Sequence, residues 1–430
     1  VYSQQDGFMI ITLPADLHPL LETFAHEAAT ADVGLYLVGG FVRDLVLGKP
    51  STDLDFVVEG DAVMFARRLA DRFGGGEIVH HPAFGTATWT PIPGTFPKRE
   101  IDFATARTET YAAPGALPVV TPARLHDDLS RRDFTINAMA IQLSPTPFGD
   151  LVDPFDGLGD LARESLQVLH ARSFIDDPTR MLRGIRFESR FGFAFDLDTD
   201  ALIPDALPYL DVVSGERIQH EIALGFREPE PESVLNGLEA LGILERFGLR
   251  FDQWQANALL SVRGVRAQML WGNFPIDLET VYWIILTCDQ PDLDSIVDRL
   301  RLSRALATQL DQGRHAYLAI PELSYALLPS EVAALLDGTS YAALMAAWGT
   351  ASRTAGGRDL IVTYAREWRD VKPTLNGGDL IQMGVPAGPK IGRLLARLRE
   401  AWLDNEITDR EGEIRFVENW LKEEQGGDGN

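Results

Sequence analysis

The sequence predicts an α+β protein: a compact α/β unit at the N-terminal end, followed by an all-helical remainder. Three observations predict it. Short β-rich runs alternate with amphipathic helices between residues 35 and 105. Strand signals nearly vanish after about residue 150. Beyond that point, Gly and Pro breaks separate stretches of helical period. At 430 residues the chain has room for two to four domains and a sizeable core.

The elements can be taken in order. "LHPLLETFAHEAA" places Leu17, Leu20, Leu21 and Phe24 at helical spacing, after a strand or turn that starts near residue 8. "LYLVGG", "DLDFVVEG", "GTATWTPI" and "REIDFATA" read as strands, and "DAVMFARRLADRFGG" as a helix among them. Residues 106–126, "ARTETYAAPGALPVVTPARLH", read as a loop rich in Ala, Pro and Thr. "DDLSRRDFTINAMAIQL" brings back a helix and then a strand. "DPTRMLRGIRFESRFGF", "GERIQHEIALGF", "LETVYWIILTC" and "IGRLLARLREAWLD" all carry the helical period.

The composition, 45% hydrophobic and 24% charged, is that of an ordinary globular protein. No run is long and apolar enough to span a membrane, and no signal peptide is apparent. Cys288 stands alone in an apolar helix, so an intramolecular disulfide and a multi-Cys zinc site are excluded. It reads as a buried thiol in a reducing compartment, and a cytoplasmic location is expected. The net charge of −24 argues against indiscriminate binding to polyanions. A local basic face remains: Arg180, Arg183, Arg186 and Arg190 recur mostly on one side of one helix, where Asp176 and Glu188 could also pair with them. His80 and His81 have no other histidine at metal-ligand spacing and read as loop residues near the site.

The chemistry concentrates in "LVGGFVRDLVLGKPSTDLDFVVEG", Leu37 to Gly60. Read as a strand, "DLDFVV" puts Asp53 and Asp55 on one face and Leu54 and Phe56 on the other. Two carboxylates so placed repel each other unless a cation lies between them. Mg²⁺ takes carboxylate oxygens together with substrate phosphates, and two such ions roughly 3.5–4 Å apart can activate a hydroxyl and stabilise a leaving pyrophosphate. Gly39 and Gly40 end the preceding strand and let backbone N–H groups approach a phosphate; Arg43, one turn into the next helix, adds a charged donor. Alone, D-x-D fits two solvated aspartates on an edge strand, and Gly-Gly fits a tight turn. Together, so closely spaced, they point to a nucleoside-triphosphate site. A third carboxylate is expected from "REIDFATA", Glu100 by preference, with Asp102 as the alternative.

These residues carry a family resemblance. "VGGFVRDLVLG…DLDF", "DLSRRDFTINAMAI", "LVDPFDGLGDL", "DDPTRMLRGIRF" and "GERIQHEI" resemble, in order, five motifs of the class II tRNA nucleotidyltransferases, the CCA-adding branch of the superfamily that includes bacterial poly(A) polymerase. They span residues 37–221. "LNGGDLIQMGVPAGPKIGRLLARLREAWLDNEI" is similar to the family's C-terminal, tRNA-contacting region. Asp176 departs from the pattern, which usually has Glu there.

The resemblance implies an architecture: a nucleotidyltransferase head over 1–148 with a small mixed or antiparallel sheet, then a helical neck (149–225), body (226–320) and tail (321–430). It implies two Mg²⁺ ions on Asp53 and Asp55, with Glu100 in support. Gly39, Gly40, Arg43 and Asp44 would hold the triphosphate, and Arg132, Asp133 and Asn137 the ribose and phosphates. Asp177 and Arg180 would read the base, with Arg183 and Arg186 beside them, and Asp153 to Asp160 would form a hinge. Arg186, Arg190, Lys390 and Arg393 would contact RNA. The implied substrates are ATP or CTP and the acceptor stem and 3′ end of tRNA; a monomer and a homodimer are both left open.

Asp177 and Arg180 are three apart, so they are expected on one helix face. A carboxylate there accepts from an exocyclic amine and a guanidinium donates to a ring nitrogen, a pattern that C and A satisfy and that U and G do not. A surface ion pair would show the same spacing. The segment Arg107–Val120 occupies the place of the family's flexible loop. Three alternatives remain open: an enzyme adding only CC or only A, a poly(A) polymerase, and a catalytically silent RNA-binding relative.

Overall fold

The computed structural model describes residues 2–5, 8–50, 54–82, 84–94, 100–351 and 356–427. The chain forms two units, residues 1–222 with 228–230, and residues 223–227 with 231–430.

The first unit is built on a mixed sheet. A hairpin of β1 (Tyr2–Gln5) and β2 (Phe8–Ile11) precedes α1 (His18–Thr30). β3 (Gly34–Val38), α2 (Gly40–Val46), β4 (Asp55–Glu59), α3 (Ala62–Arg72), β5 (Gly76–His81), β6 (Thr86–Pro91) and β7 (Ile101–Thr105) follow. Then come β8 (Arg107–Thr110), β9 (Val119–Pro122), α4 (Leu125–Ser130), β10 (Ala140–Ser144) and β11 (Leu151–Val152). The seven-stranded sheet runs β11-β10-β3-β4-β7-β6-β5. Every neighbouring pair is antiparallel except β4 and β7, which are parallel with Asp55 opposite Asp102.

Alternation along β4 and β7 decides what each sheet face carries. Phe56 and Phe103 stack at 5.1 Å on one face, joined by Phe24 from α1, 5.5 Å from Phe56, and Phe65 from α3, 5.8 Å from Phe103. Val57 lies on the other face, packed with Tyr36, Val38, Leu125, Leu129 and Ala140. Asp55 and Asp102 share that second face, at the start of their strands.

The segment 106–126, expected as a loop, contains a two-stranded ribbon instead. β8 and β9 pair from Arg107↔Pro122 to Thr110↔Val119. The Thr and Val residues flanking the Ala-Pro-Gly turn supply the β preference, and the pairing itself is non-local, so composition hid it. His80 and His81 also differ from expectation: they are exposed on β5, the sheet's outer strand, rather than in a loop near the site.

After β11 the first unit is mostly helical, with α5 (Gly157–Arg163), α6 (Ser173–Asp176), α7 (Thr179–Phe191) and further helices, and one short parallel strand pair, Ser165–Leu166 with Ala194–Phe195. The Asp153–Asp160 segment is held locally. Asp153 accepts from the amides of Gly157 (2.8 Å) and Leu158 (2.9 Å), and buried Asp160 accepts from Thr135 Oγ1 at 2.5 Å.

The second unit is helical throughout its described residues. Helix Leu278–Thr287 packs on helices Arg304–Ala319 and Tyr341–Thr350. Gly313 permits one close approach: a Cβ there would stand 2.2 Å from Ile284 Cγ2. Cys288 ends helix Leu278–Thr287 as a buried thiol, pushed well up by that burial. No helix among the described residues is long and apolar enough to cross a membrane. Lys390 is half-buried and Arg393 exposed on helix Pro389–Leu403. Leu375, Leu380, Leu394, Leu398 and Val417 form the last apolar cluster. Beside it, fully buried Glu413 accepts from the Thr374 amide and hydroxyl (both 2.6 Å), the Leu375 amide (2.8 Å) and the Trp402 indole. Glu413→Ala leaves these donors buried and unpaired, so chemical denaturation of the full chain should show a loss of about 2–4 kcal/mol. An unchanged midpoint would mean that water replaces the carboxylate without penalty.

Candidate active site

A cavity of about 790 Å³ opens in the first unit above the start of β4. Its floor is the Gly39-Gly40 turn between β3 and α2. Gly39 has φ +68°, and a Cβ there would stand 3.0 Å from Arg132 Nη1 and 3.9 Å from Asp55 Oδ2. Only glycine fits this turn at low cost, and its missing side chain brings Asp55 and Arg132 around one small space. Arg132 donates to buried Asp128 at 3.1 Å, while its buried Nε has no partner among the described residues.

Donor chemistry decides whether a hard cation and a triphosphate fit here. Asp55 and Asp102 present oxygen ligands side by side on one sheet face, their strands about 4.8 Å apart. Arg132 offers an unused donor, and Gly39 leaves the room. The residues fit both groups. Asp53 lies outside the described residues. Among the described residues no three acidic or metal-ligating side chains converge. Neither Glu100, which stands before β7, nor Asp102 lines the cavity; Asp102 lies directly opposite Asp55 in the strand register and accepts from Thr88 Oγ1 at 2.5 Å. The register places Asp102, and not Glu100, opposite Asp55.

A buried network braces the cavity. Asp133 accepts from Arg183 Nη2 (2.7 Å), Asn137 Nδ2 (2.9 Å) and the Phe134 amide (2.8 Å). Asn137 Oδ1 in turn accepts from Arg43 Nη1 at 2.7 Å, and Asp44 accepts from Arg43 Nε at 2.8 Å. Burial pushes the Asp133 carboxyl up, but the Arg183 charge and the three hydrogen bonds outweigh it and hold it well below the usual carboxylate range. Burial draws Arg43 down, and Asp44 opposes that. The Arg43 guanidinium also lies 4.7 Å from the Phe191 ring centre.

Asp177 and Arg180 both line the cavity, but not from one helix face. α7 starts at Thr179, and Asp177 is extended at φ −134°, because Pro178 caps the helix. Asp177 Oδ1 accepts from the Thr179 amide (3.1 Å), Thr179 Oγ1 (2.7 Å) and Arg217 Nη2 (2.7 Å), which leaves Oδ2 for a donor from outside. Arg180 is buried and donates to Ser173 Oγ (2.5 Å) and the Arg131 carbonyl (2.6 Å). Two of its five N–H donors are used there.

The arginine row on α7, read as a basic face with Asp176 and Glu188 as alternative partners, pairs with neither of those two acids among the described residues. Asp176 pairs with Arg172, and Glu188 accepts from the Phe195 amide. Arg183 pairs with Asp133 (2.7 Å), Arg186 with Glu221 (2.9 Å) and Arg190 with Glu228 (2.6 Å), whereas Arg180 donates to a hydroxyl and a backbone carbonyl. Gly39, Gly40, Arg43, Asp44, Asp55, Arg132, Asp133, Asn137, Asp177, Arg180, Arg183, Arg186 and Arg190 all line the one cavity. Lys390 and Arg393 belong to the second unit. Sequence reasoning missed Glu109, Tyr111, Arg131, Arg217 and Glu221. Arg217 and Glu221 sit inside the quoted "GERIQHEI", whose charges at three- and four-residue spacing were the available signal.

Asp55 stands beside a glycine cradle and faces a wall of arginines, with Asp102 opposite it in the strand register. Residues 35–167 match the model of the poly A polymerase head domain, and residues 192–249 match the one described as "Probable RNA and SrmB- binding site of polymerase A". The chain is 34% identical to the A-adding tRNA nucleotidyltransferase of Halalkalibacterium halodurans, over 96% of this chain and 95% of that one. It is 32% identical to the CC-adding enzyme of Deinococcus radiodurans, over 86% of this chain and 85% of that one. Of the A-adding enzyme of Geobacter sulfurreducens, 33% identical over 94% of this chain, it spans 47%. A solved apo CCA-adding enzyme superposes with TM-score 0.81 at 31% identity, covering 94% of this chain and 96% of that one. The Thermotoga maritima CCA-adding enzyme complexed with tRNA gives 0.74 at 30%, covering 95% and 96%. The chain belongs to the tRNA nucleotidyltransferase family.

The depressed Asp133 carboxyl gives a pH signature. A carboxylate lowered on folding stabilises fully above its unfolded value of about 3.9, and that contribution is lost as pH falls toward the folded value. Asp133→Asn should cost about 3 kcal/mol at pH 7, since it leaves Arg183 short of its charge partner. The gap to wild type should stay constant down to about pH 4 and narrow only below it. Thermal unfolding against pH measures this; a gap that closes near pH 6 would contradict the assignment.

Proposed function

We propose that this chain adds nucleotides from ATP or CTP to the 3′ end of tRNA without a nucleic-acid template, releasing pyrophosphate, and that its own specificity is for the terminal A. The single observation that carries the transfer reading is the register of Asp55 with Asp102 beside the Gly39 cradle. Support for A rests on likeness: the full-length relative at 34% identity adds A, and a 42% identical stretch, over 58% of this chain, belongs to the A-adding enzyme of Aquifex aeolicus. Solved relatives in complex with CTP and with ATP, each 30% identical with TM-score 0.78, support the substrate class.

The roles follow from chemistry. Asp55 and Asp102, with Asp53, would hold Mg²⁺, which when bound acidifies the attacking 3′-hydroxyl and carries charge on the leaving pyrophosphate. Arg132 and the Gly39-Gly40 turn bind and orient the triphosphate. Asp177 accepts from the exocyclic amine of A or C, and Arg180 donates to the adjacent ring nitrogen. U and G would leave both unpaired in a half-buried wall, which a site penalises heavily.

Transcripts ending before C74, after C74, after C75 and complete should be offered with each labelled triphosphate. We expect A to be added to the transcript ending in C75 and little addition to the shorter ones. Added C on the shorter transcripts would assign the CC or CCA activity instead. Extended A tracts on unrelated RNA would assign poly(A) polymerase. Asp55→Asn and Asp102→Asn should each reduce incorporation at least a hundredfold with unfolding midpoints near wild type; Glu100→Gln should change it less than tenfold. The reverse ranking of Asp102 and Glu100 would return the third-carboxylate role to Glu100.

A further inference from the structure

We propose that a cavity in the second unit binds phosphate. The proposal goes beyond the transfer reaction and does not rest on it. The cavity has a volume of about 300 Å³, and Asp277, Gln309, Ser340, Tyr341, Ala342 and Arg369 stand in its wall. Arg369 follows one turn of π-helix, Tyr364–Trp368, and its amide donates five residues back to the Tyr364 carbonyl at 2.8 Å. Such turns are rare and recur at functional sites. The Arg369 guanidinium lies 4.4 Å from the Tyr341 ring centre. No carboxylate pairs with it among the described residues, and its buried Nη1 has no hydrogen-bond partner there. A guanidinium so placed has donors to give and no acceptor to meet them.

Further donors stand in the same wall. Helix Tyr341–Thr350 begins there, and its first amides, Tyr341 and Ala342, meet no carbonyl within the helix. The Ser340 hydroxyl caps only the third, Ala343, at 3.2 Å. That hydroxyl gives its own proton to Gln309 Oε1. The Gln309 amide is thereby oriented, with its oxygen on Ser340 and its NH₂ left to donate. Guanidinium, amide NH₂ and helix N-terminus together suit a tetrahedral oxyanion. Asp277 is the one acid among the wall residues described, and its oxygens are occupied on its own helix. Oδ1 accepts from the Glu279 amide (3.3 Å), and Oδ2 from the Thr280 amide (3.1 Å) and hydroxyl (2.8 Å). It therefore caps helix Leu278–Thr287 and leaves Arg369 unneutralised. Free phosphate and the phosphate of an RNA backbone share the chemistry that this wall would recognise.

The test follows amide hydrogen exchange of the full chain by mass spectrometry, read over Ser340–Leu344, so that an anion held in the catalytic cavity does not register. With inorganic phosphate at about ten times its Kd, exchange there should slow by about tenfold relative to chloride at equal ionic strength. Arg369→Met should abolish the protection. So should Gln309→Glu, which keeps the side chain's shape and its bond from Ser340 but puts an acceptor where the NH₂ donates. Should Arg369→Met fail to fold, Gln309→Glu carries the test. Asp277→Asn keeps a capping side chain and removes the wall's negative charge, so it should bind phosphate several-fold more tightly. An arginine that merely fills space on Tyr341 would give none of these responses. Equal protection by chloride overturns the proposal, as does protection that survives both donor variants. Phosphate binding unchanged or weakened in Asp277→Asn also overturns it. tRNA in phosphate-free buffer separates the two sources. Protection by tRNA that Arg369→Met removes assigns the backbone phosphate; protection by phosphate alone assigns the free anion; protection by neither leaves no site.

Discussion

The site depends on one buried charge, the carboxylate of Asp133. A buried carboxylate is costly unless its lone pairs are met and an opposite charge lies against it. Here Arg183 from α7, the Asn137 amide and a backbone N–H meet it. The consequence reaches further than that pair. A carboxylate can only accept, so Asn137 must turn its NH₂ toward Asp133 and its oxygen toward Arg43. Arg43 is thereby fixed beside the Gly39-Gly40 turn, and α7 is fixed against the sheet that carries Asp55. Charge, amide orientation and helix placement follow in sequence from one residue.

The parallel pair at the centre of the sheet supplies the other constraint. Open α/β sheets usually place ligands beyond the carboxyl ends of their strands. In this chain the carboxylates sit at the opposite ends, on the first residue of β4 and the second of β7. That is possible because the remaining neighbours are antiparallel, so the turn leaving β3 arrives at the same edge where β4 and β7 begin. The glycine turn and Asp55 meet for topological reasons, and Asp102 stands opposite Asp55 on the neighbouring strand.

Local signals carried most of this in the sequence. Alternation in "DLDFVV" placed Asp55 opposite in face to Leu54 and Phe56, and both apolar residues are buried. Gly39 was legible because only one residue type tolerates its backbone. Three things were not legible, each for a non-local reason. That Asp102 rather than Glu100 lies opposite Asp55 required the register of two strands separated by α3, β5 and β6. The β8–β9 ribbon needed its own pairing partner, which composition cannot name. The acidic partners of α7 come from residues 221 and 228, on a different segment, so spacing within the helix pointed to Asp176 and Glu188 instead. Pro178 was visible, but its role as the residue before the helix, which takes Asp177 off α7, emerges only once α7 has a start.

The charge balance of the arginine row bears on how the protein meets a polyanion. A row of free arginines would bind any RNA, with affinity set by counterion release. Arg186 and Arg190 are instead held by Glu221 and Glu228, and Arg183 by Asp133. A phosphate approaching them must displace a carboxylate or share its guanidinium, which cancels much of the sequence-blind attraction. Arg132 differs: its carboxylate partner occupies one end of the guanidinium and its Nε has no partner among the described residues. Attraction is therefore concentrated in the cavity, at Arg132 where Gly39 leaves space and at Arg180, which no carboxylate neutralises among the described residues; the acidic remainder of the chain, at a net charge of −24, opposes binding elsewhere. An enzyme that adds few residues and then releases its product gains from that distribution, since tight indiscriminate hold on RNA would slow release.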